Sequence, residues 1–429
     1  MKNIDQKQEH TGSYYAASVN EVTDYPVLEG AKTADICVVG GGFTGVSTAL
    51  SLIERGYTVA LVEANRIGWG ASGRNGGQII NGISGLDKIK KKHGDGIADL
   101  IQNLRWRGND IIRERIAKYD IQCDLKDGFL EVATKPSQVP WLEEYAAERE
   151  VYNTGHRYEL WDRQETCDKL GTQAFHGGFV CYRDGHLHPL NLCIGEARAA
   201  HNLGAQIFEQ SPMTHIEHGA RPKVHTANGY IEADSVVLAG NAYSQFEPKH
   251  LSNLVFPAGS YIIATEPLSE EVTNEINPLD VAVCDLNEVV DYFRLSADNR
   301  LLYGGACNYS GRDPASIKGY ILPRLQRVYP QLKDVRIDYE WGGKIGIVLR
   351  RIPTVGRINN NVYYCQGYSG HGVCATHVMG EVMADAVAGT MERFDLFADM
   401  KHFRIPGTQW VGNQIIALGM LYYKLMDQL

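Results

Sequence analysis

The sequence predicts an α/β chain (α+β overall), in which a Rossmann-like dinucleotide-binding domain is interleaved with an antiparallel-sheet domain. Three observations lead there. A glycine-rich junction between an apolar run and a helical pattern stands near the N-terminus. Two later apolar runs also break at glycine, as buried parallel strands do. Between these pieces lie two stretches, roughly 89–180 and 255–340, that are richer in aromatics and in alternating patterns.

In chain order, residues 1–33 lack strong periodicity and read as an arm. Asp35-Ile36-Cys37-Val38-Val39 is a short buried strand ending at Gly40. From Phe43 to Arg55 the period turns helical, with Val46, Ala49, Leu50 and Ile53 on one face and Gly56 as the stop. Thr58 to Glu63 is the second strand, completing a βαβ unit whose crossover is right-handed in nearly all proteins. Ser235 to Gly240 and Val362 to Gln366 are further strands. Val378, Met379, Val382, Met383, Ala386 and Val387 are then spaced for one buried helical face. The expected division gives 34–88, 181–254 and 341–429 to the nucleotide-binding domain. A second domain, inserted twice, takes 89–180 and 255–340.

Composition narrows the function. Hydrophobic residues make up 44% and charged residues 22%, the balance of a folded chain with a sizeable core. Lys and Arg number 42 against 51 Asp and Glu, so the net charge of −9 disfavours nucleic acid as a partner. The basic run Lys88 to Lys92 reads as a solvated helix face. Nine cysteines without a CxxC pair fit neither a disulfide framework nor a zinc ribbon, and suit a reducing cytoplasm. Met1 to Tyr15 has no apolar core of an export signal, and no run reaches the roughly 18 apolar residues of a spanning helix.

Gly40-Gly41-Gly42-Phe43-Thr44-Gly45 fits G-x-G-x-x-G at the required strand-to-helix junction. The first glycine permits the turn, the second lets backbone approach a pyrophosphate, and the third lets helix meet strand. Free N–H groups at the helix start favour the anion. Glu63 follows 23 residues after Gly40, placed for an adenosine ribose, and its charge repels a 2′-phosphate. FAD rather than NAD is expected from the glycine-dense loop Arg66 to Gln78, whose ordering entropy calls for a bulky ligand lying on backbone. Gln366-Gly367-Tyr368-Ser369-Gly370-His371-Gly372 opens the late helix, whose N–H groups suit the edge of a flavin that gains negative charge on reduction.

Gly40 to Gly45, Glu63, Ala71 to Gln78, Val236 to Ala242 and Gly367 to Gly372 resemble the D-amino-acid-oxidase-like family of FAD enzymes, which includes glycine and sarcosine oxidases. The longer blocks Ser13 to Ser18, Gly185 to Leu192 and Ala297 to Gly305 resemble its putrescine-degrading members. The resemblance implies a FAD domain covered by the sheet of a substrate domain. It also implies oxidation of a primary amine to an imine, hydrolysis to aldehyde and ammonia, and reoxidation by O₂ to H₂O₂. The cofactor residues it implies are Gly40, Gly42, Phe43, Thr44, Gly45, Glu63, Ala64, Arg66, Gly70, Ala71, Ser72, Arg74, Asn75, Gly76, Gly77 and Gln78. To these it adds Met213, Ala239, Gly240, Asn241, Gly367, Tyr368, Ser369, Gly370, His371, Gly372 and Val373. Some sarcosine oxidases attach FAD through a cysteine; Trp341 to Gly346 has none, so noncovalent FAD is expected.

Sarcosine oxidases hold a substrate carboxylate with basic side chains; the matching positions here are Gln78, Asn81 and Cys374. A buried carboxylate without a cation is costly, so the expected substrate carries its amine away from a carboxylate, as gamma-glutamylputrescine does. A site must also favour loss of the ammonium proton. His188 and His371 are candidates, each with an alternative: a structural hydrogen-bonding role for His188, backbone contact with flavin for His371. Lys344 is the candidate for helping O₂. Arg294 is expected at the glutamyl carboxylate or in an ion pair, and Tyr261, Tyr292 and Trp341 along a methylene tunnel or in the core. His186 and His188 alternate as metal ligands do, but no carboxylate or cysteine stands near, so no metal is expected. Two rival readings remain: a related oxidase for sarcosine, glycine or a D-amino acid, and a dehydrogenase that passes electrons to a quinone. The second is prompted by the apolar segment Trp410 to Leu425, read as a packed helix or as an interfacial membrane contact.

Overall fold

The computed structural model describes residues 8–152, 156–243 and 248–426. Two sheets dominate. The first runs Thr354–Ile358, Val362–Gln366, Gly229–Leu238, Gly30–Val39, Val59–Val62, Gln206–Phe208. Its inner pairs are parallel: Ile36 to Val39 lie beside Val59 to Val62 on one side and Ser235 to Leu238 on the other. Strand Gly30–Val39 starts well before Asp35 because Gly30 to Ala34 pair with Gly229 to Ala233.

Alternation explains why these strands read as unbroken apolar runs. Ile36, Val38, Leu61 and Val237 face one core with Val46, Leu50, Val378 and Met379. Cys37, Val39, Ala60, Val62, Val236 and Leu238 face a second core on the opposite side. A strand buried on both faces has no polar side to show.

Among the described residues the second sheet holds nine strands, mostly antiparallel: eight in the path Ile337–Ile347, Phe256–Thr265, Leu301–Asn308, Asp291–Leu295, Ala282–Asp285, Lys126–Val132, Gly178–His186, Gln78–Ile79, and Tyr158–Trp161 off it beside Gly178–His186. The glycine-dense loop therefore ends by pairing Gln78 with His186, which ties the cofactor loop to this sheet. Helix Ala98–Tyr119, within the segment read as the inserted domain, packs on helices of the first sheet. Gly108 lies so close to Cys374 that a Cβ would meet its carbonyl at 2.3 Å, and buried Arg115 pairs with Glu196 at 2.9 Å.

Helix Leu86–His93 buries Leu86 and Ile89 and turns Lys88, Lys91 and Lys92 outward. Helix Gln409–Met426 packs Ile416, Ala417 and Met420 against Ala258, Tyr309 and Ile347, with Trp410, Ile415 and Leu418 facing outward. Leu421, Tyr422 and Leu425 carry side chains outside the described residues. Among the described residues, no helix is long and apolar enough to cross a membrane.

Candidate active site

Two cavities open where the sheets meet. The first, open to solvent at its mouth, spans about 1140 Å³ above the C-terminal ends of the parallel strands, where ligands bind in open α/β sheets. Its floor is Gly40, Gly42, Phe43 and Thr44. Helix Phe43–Ile53 starts there with Gly42 as an N-cap lacking a side chain; Phe43 N–H donates to Ser72 Oγ at 2.8 Å, and the following N–H groups of the first turn have no intrahelical partner. A Cβ on Gly40 (φ +112°) would meet the Ala239 carbonyl at 2.9 Å, and one on Gly42 would meet Ser72 Oγ at 2.9 Å. Gly45 lies beneath the floor, where a Cβ would strike the Gly40 carbonyl at 1.9 Å.

Glu63 accepts from Gly41 N–H at 2.6 Å and Asn65 N–H at 2.8 Å. Burial raises its pKa, with these bonds opposing. The Ala64 N–H also bonds it; a carboxylate has about four lone-pair sites, which leaves room for a hydroxyl donor. Ala64, Gly70, Ala71, Ser72, Asn75, Met213, Ala239, Gly240, Asn241, Tyr368, Ser369, Gly370, Gly372 and Val373 complete the wall with Trp69, Tyr243 and Ile345. Thr44 Oγ1 and Tyr368 Oη meet at 2.7 Å beneath it. Gly367 (φ +84°) donates to Asn241 Oδ1 at 2.9 Å. The residues present fit FAD: a helix start with a glycine N-cap, a cradle that Cβ atoms would fill, and an acceptor carboxylate beyond it.

Several expected cofactor residues stand elsewhere. Arg66 pairs with Glu209 at 2.9 Å, Glu9 at 2.9 Å and Asp24 at 3.2 Å, fastening the loop from outside. Gly77 (φ +72°) is pressed against the Leu187 carbonyl. Arg74, Gly76, Gln78 and His371 line the second cavity.

That cavity, also open to solvent, spans about 1320 Å³ and shares Ala71, Asn75, Ile345, Ser369, Gly370, Gly372 and Val373 with the first. Its inner wall is Gly76, Gln78, Tyr292, His371 and Cys374; its outer wall carries Tyr309, Glu288 and Arg351. Ser84, Ser260, Cys284 and Cys307 also line it. Burial pushes the Cys284, Cys307 and Cys374 thiols up, which leaves them poor nucleophiles. Arg74 stacks on Trp69, 4.4 Å from the ring centroid, and donates to the Trp69 carbonyl at 2.8 Å.

His371 Nε2 lies 3.2 Å from the Asn81 carbonyl, which can only accept. In the neutral ring the lone pair is then on Nδ1, and burial keeps the ring neutral by lowering its pKa. Asn81 turns away from the cavity and donates from N–H and Nδ2 to buried Asp184, at 3.0 and 2.5 Å. Gln78 keeps its amide at the cavity and donates to the Val283 carbonyl at 3.1 Å.

The other candidates are not brought to either cavity. His188 is the N-cap of helix Pro189–Asn202; Nδ1 accepts from Asn191 N–H and Nε2 meets Ser18 Oγ, each at 3.1 Å. Burial and the Arg294 charge hold it at about 3. His186 Nε2 engages the Asp280 carbonyl at 2.7 Å, so the paired histidines serve separate structural bonds. Among the described residues no group of three or more His, Cys, Asp or Glu is set to hold a metal. Arg294 is buried and donates to the carbonyls of Gly76 (2.8 Å), Leu187 (2.9 Å) and Leu295 (2.9 Å). It staples the cofactor loop to the sheet. Trp341 donates to the Arg74 carbonyl at 3.0 Å and packs edge-on against Tyr15. Tyr261 is buried with its hydroxyl on Asp313 at 3.0 Å, and Lys344 pairs with the same carboxylate at 2.5 Å. Of the four expected substrate residues, Tyr292 alone lines the second cavity.

Sequence reasoning missed Glu288, Arg351, Tyr309, Ser260, Cys284 and Cys307. They stand on or beside strands 256–265, 282–285, 301–308 and 337–347, far in sequence from the cofactor loop, and no local motif marks them.

A family model described as FAD dependent oxidoreductase (DAO) matches residues 35–386. The chain is 43% identical over 424 residues to the gamma-glutamylputrescine oxidoreductase of Escherichia coli K12, covering 98% of this chain and 99% of that one. It is 40% identical over 427 residues to the Haemophilus influenzae protein named probable oxidoreductase OrdL, covering 98% of each. The solved structure of glycine oxidase from Geobacillus kaustophilus superposes with a TM-score of 0.71 at 20% identity, over 88% of this chain and all of that one.

Proposed function

The chain belongs to the DAO family of FAD-dependent oxidoreductases, and from that premise we propose that it oxidises the terminal amine of the butyl chain of gamma-glutamylputrescine, yielding gamma-glutamyl-gamma-aminobutyraldehyde and ammonia, with O₂ as the final acceptor. The relation to the Escherichia coli enzyme along the whole chain carries the substrate. FAD bound in the first cavity supplies the two-electron acceptor for the hydride that leaves the amine-bearing carbon.

The chain's own residues then have three tasks. Gly40, Gly42 and the first turn of helix Phe43–Ile53 take the pyrophosphate against backbone N–H groups, and Glu63 takes the ribose hydroxyls. The first cavity's described lining includes no cysteine, which supports noncovalent attachment. The shared wall at Asn75, Ser369 and Gly372 is where the reacting parts meet, so the amine approaches from the second cavity. His371 offers an unprotonated Nδ1 to the substrate ammonium, while its Nε2–H stays committed to the Asn81 carbonyl.

The inner wall also supports the choice of amine. Gln78 and Cys374 are neutral, and the Arg74 guanidinium is committed to the Trp69 ring and carbonyl. A carboxylate next to the reacting carbon would be buried without a cation. In this reading the second sheet and its inserted segments form the substrate domain, and the first sheet with its helices forms the FAD domain.

Amine-dependent H₂O₂ release by the yellow protein is the test. We expect kcat/KM for gamma-glutamylputrescine at least about tenfold above free putrescine, or about 1.4 kcal/mol, with sarcosine and D-alanine poorer still. Sarcosine or D-alanine as best substrate would overturn the reading. Amine-dependent reduction of a quinone without H₂O₂ would overturn the acceptor. Acid precipitation is expected to release the flavin into the supernatant.

A further inference from the structure

We infer that Glu288 and Arg351 form a recognition site for a zwitterionic α-amino-acid end at the outer wall of the second cavity, Arg351 taking the carboxylate and Glu288 the ammonium. The inference rests on the substrate reading above and names how the far end of that substrate is held.

The charges single out this pair. The charged side chains lining the second cavity are Arg74, Glu288 and Arg351. Arg74 is turned to the Trp69 ring and to the carbonyls of Trp69 and Gly342. Glu288 and Arg351 are the other two, of opposite sign, with Arg351 Nη2 3.9 Å from Glu288 Oε2 and the guanidinium also bonded to the Tyr309 side chain. They come from two separate turns. Glu288 stands between strands Ala282–Asp285 and Asp291–Leu295, and Arg351 in the turn after strand Ile337–Ile347. No covalent neighbourhood brings them together; the cavity does.

Their placement suits a remote end rather than a reacting one. The side chains are 53% and 43% exposed, so they mark the wet end of the cavity. Tyr292 and His371 mark the inner end, where the cavity joins the first. Tyr309 and Ile345 lie along the second cavity as apolar wall, suited to the methylenes of an extended chain.

The backbone adds an independent observation. Arg351 has φ +55°, the left-handed region that a residue with a Cβ enters at a cost. Glycine or asparagine would hold this turn more cheaply. The arginine persists there although its turn bond, Arg351 N–H to the Val348 carbonyl at 3.0 Å, needs no particular side chain.

A half-exposed pair at this spacing contributes little by itself, about 0–1 kcal/mol, so a ligand's charges can replace that pairing at little cost. The guanidinium then gains a bidentate carboxylate and the glutamate an ammonium, both charge-assisted. A free diamine brings a second ammonium that Glu288 attracts and Arg351 repels. An N-acetyl group engages neither. The pair therefore selects an acyl group that ends in a free amino acid.

The test compares gamma-glutamylputrescine with N-acetylputrescine in wild type, Arg351→Gln, Arg351→Lys and Glu288→Gln. The ratio of kcat/KM between the two amines is expected to fall at least about tenfold in Arg351→Gln, mostly through KM, and about threefold in Glu288→Gln, with partial recovery in Arg351→Lys. Calorimetric binding of N-gamma-glutamylbutylamine, which has the amino-acid end but no reacting amine, is expected to weaken at least about tenfold in Arg351→Gln. A wild type that prefers gamma-glutamylputrescine, with neither the ratio nor the binding changed in Arg351→Gln, overturns the pair and leaves the substrate reading standing. A wild type that binds N-gamma-glutamylbutylamine through Arg351 yet fails to oxidise gamma-glutamylputrescine overturns the substrate reading and upholds the pair. Binding absent in wild type overturns the pair outright.

Discussion

The two cavities share a wall but are built from different materials. The first is made of backbone: glycines that let main chain approach main chain, a helix start with a glycine N-cap, and one carboxylate whose bonds go to backbone N–H groups. The second is made of side chains carried by strands and turns that are remote in sequence. A backbone cavity tolerates almost no added atom on its floor, while a side-chain cavity yields in proportion to the contact removed. The predictions test that contrast, from total loss to a few-fold change.

The largest effect is expected on the floor. Gly45→Val places a Cβ that overlaps the Gly40 carbonyl, which sits 1.9 Å away. Neither backbone segment can retreat without breaking the turn that faces the pyrophosphate. The variant should purify without flavin or fail to fold, read from the visible absorbance of the purified protein against its total yield. Gly42→Val should act the same way through its clash with Ser72 Oγ. A yellow, stable Gly45→Val would break the contrast at its root.

Next comes the staple between the two regions. Arg294→Ala leaves the carbonyls of Gly76, Leu187 and Leu295 without their charged donor in a buried site. Each buried carbonyl left without its donor costs about 1–3 kcal/mol, so the urea midpoint should fall clearly. Flavin should also dissociate more readily, because Gly76 belongs to the cofactor loop. Arg294→Lys restores a charge but not the fork that reaches several carbonyls, and should recover little.

These outcomes also show what was legible in the sequence. Gly40 to Gly45 and Glu63 could be placed because their geometry is local: a turn, a helix start and the end of the next strand lie within one βαβ unit. His188, Arg294, Trp341, Tyr261 and Lys344 have the residue types of an active site, yet type does not say where a side chain points. Strand pairing decides that: Arg294 sits on strand Asp291–Leu295, next to Phe293, which faces the core, and after Tyr292, which reaches the cavity. Sheet topology rather than alternation brings Glu288 and Arg351 together, from turns no motif connects. The early start of strand Gly30–Val39 was hidden for a related reason, since its first residues are held by pairing with Gly229 to Ala233 and carry no apolar run.

A smaller effect lies behind the second cavity. Asp184 accepts from Asn81 and Asn109, and Asn81 in turn positions His371. Burial pushes the Asp184 carboxyl up to about 6. An acid raised on folding favours the folded state most below its ordinary pKa and loses that contribution as pH rises through the folded value. Across roughly pH 4 to 6 this group should therefore cost the wild type up to about 3 kcal/mol. Asp184→Asn cannot titrate. Its stability relative to wild type should improve by that order between pH 4 and pH 7, whatever fixed offset its altered hydrogen bonds impose. Urea midpoints at the two pH values decide it, and a constant offset would mean that the carboxylate is not held up by burial.

The smallest effect is expected at Tyr292, where the two regions touch. Its ring lies on two glycines: a Cβ on Gly76 would meet Cε2 at 2.7 Å, and a Cβ on Gly304 would meet the ring at 2.5 Å. Gly76 belongs to the cofactor loop and Gly304 to the second sheet, so the ring is the plate between backbone cavity and side-chain cavity. Its hydroxyl reaches Ser260 Oγ at 3.3 Å, a long bond between neutral groups. Tyr292→Phe keeps the plate and removes that bond, worth about 1 kcal/mol, so kcat/KM should fall no more than about fivefold with flavin content unchanged. Gly304→Ala keeps the hydroxyl but drives the ring toward Gly76. It should cost more than Tyr292→Phe and should weaken flavin binding as well. If the order is reversed, with the hydroxyl outweighing the ring's position, Tyr292 acts on the substrate through its oxygen, and the boundary between the cavities is chemical rather than steric.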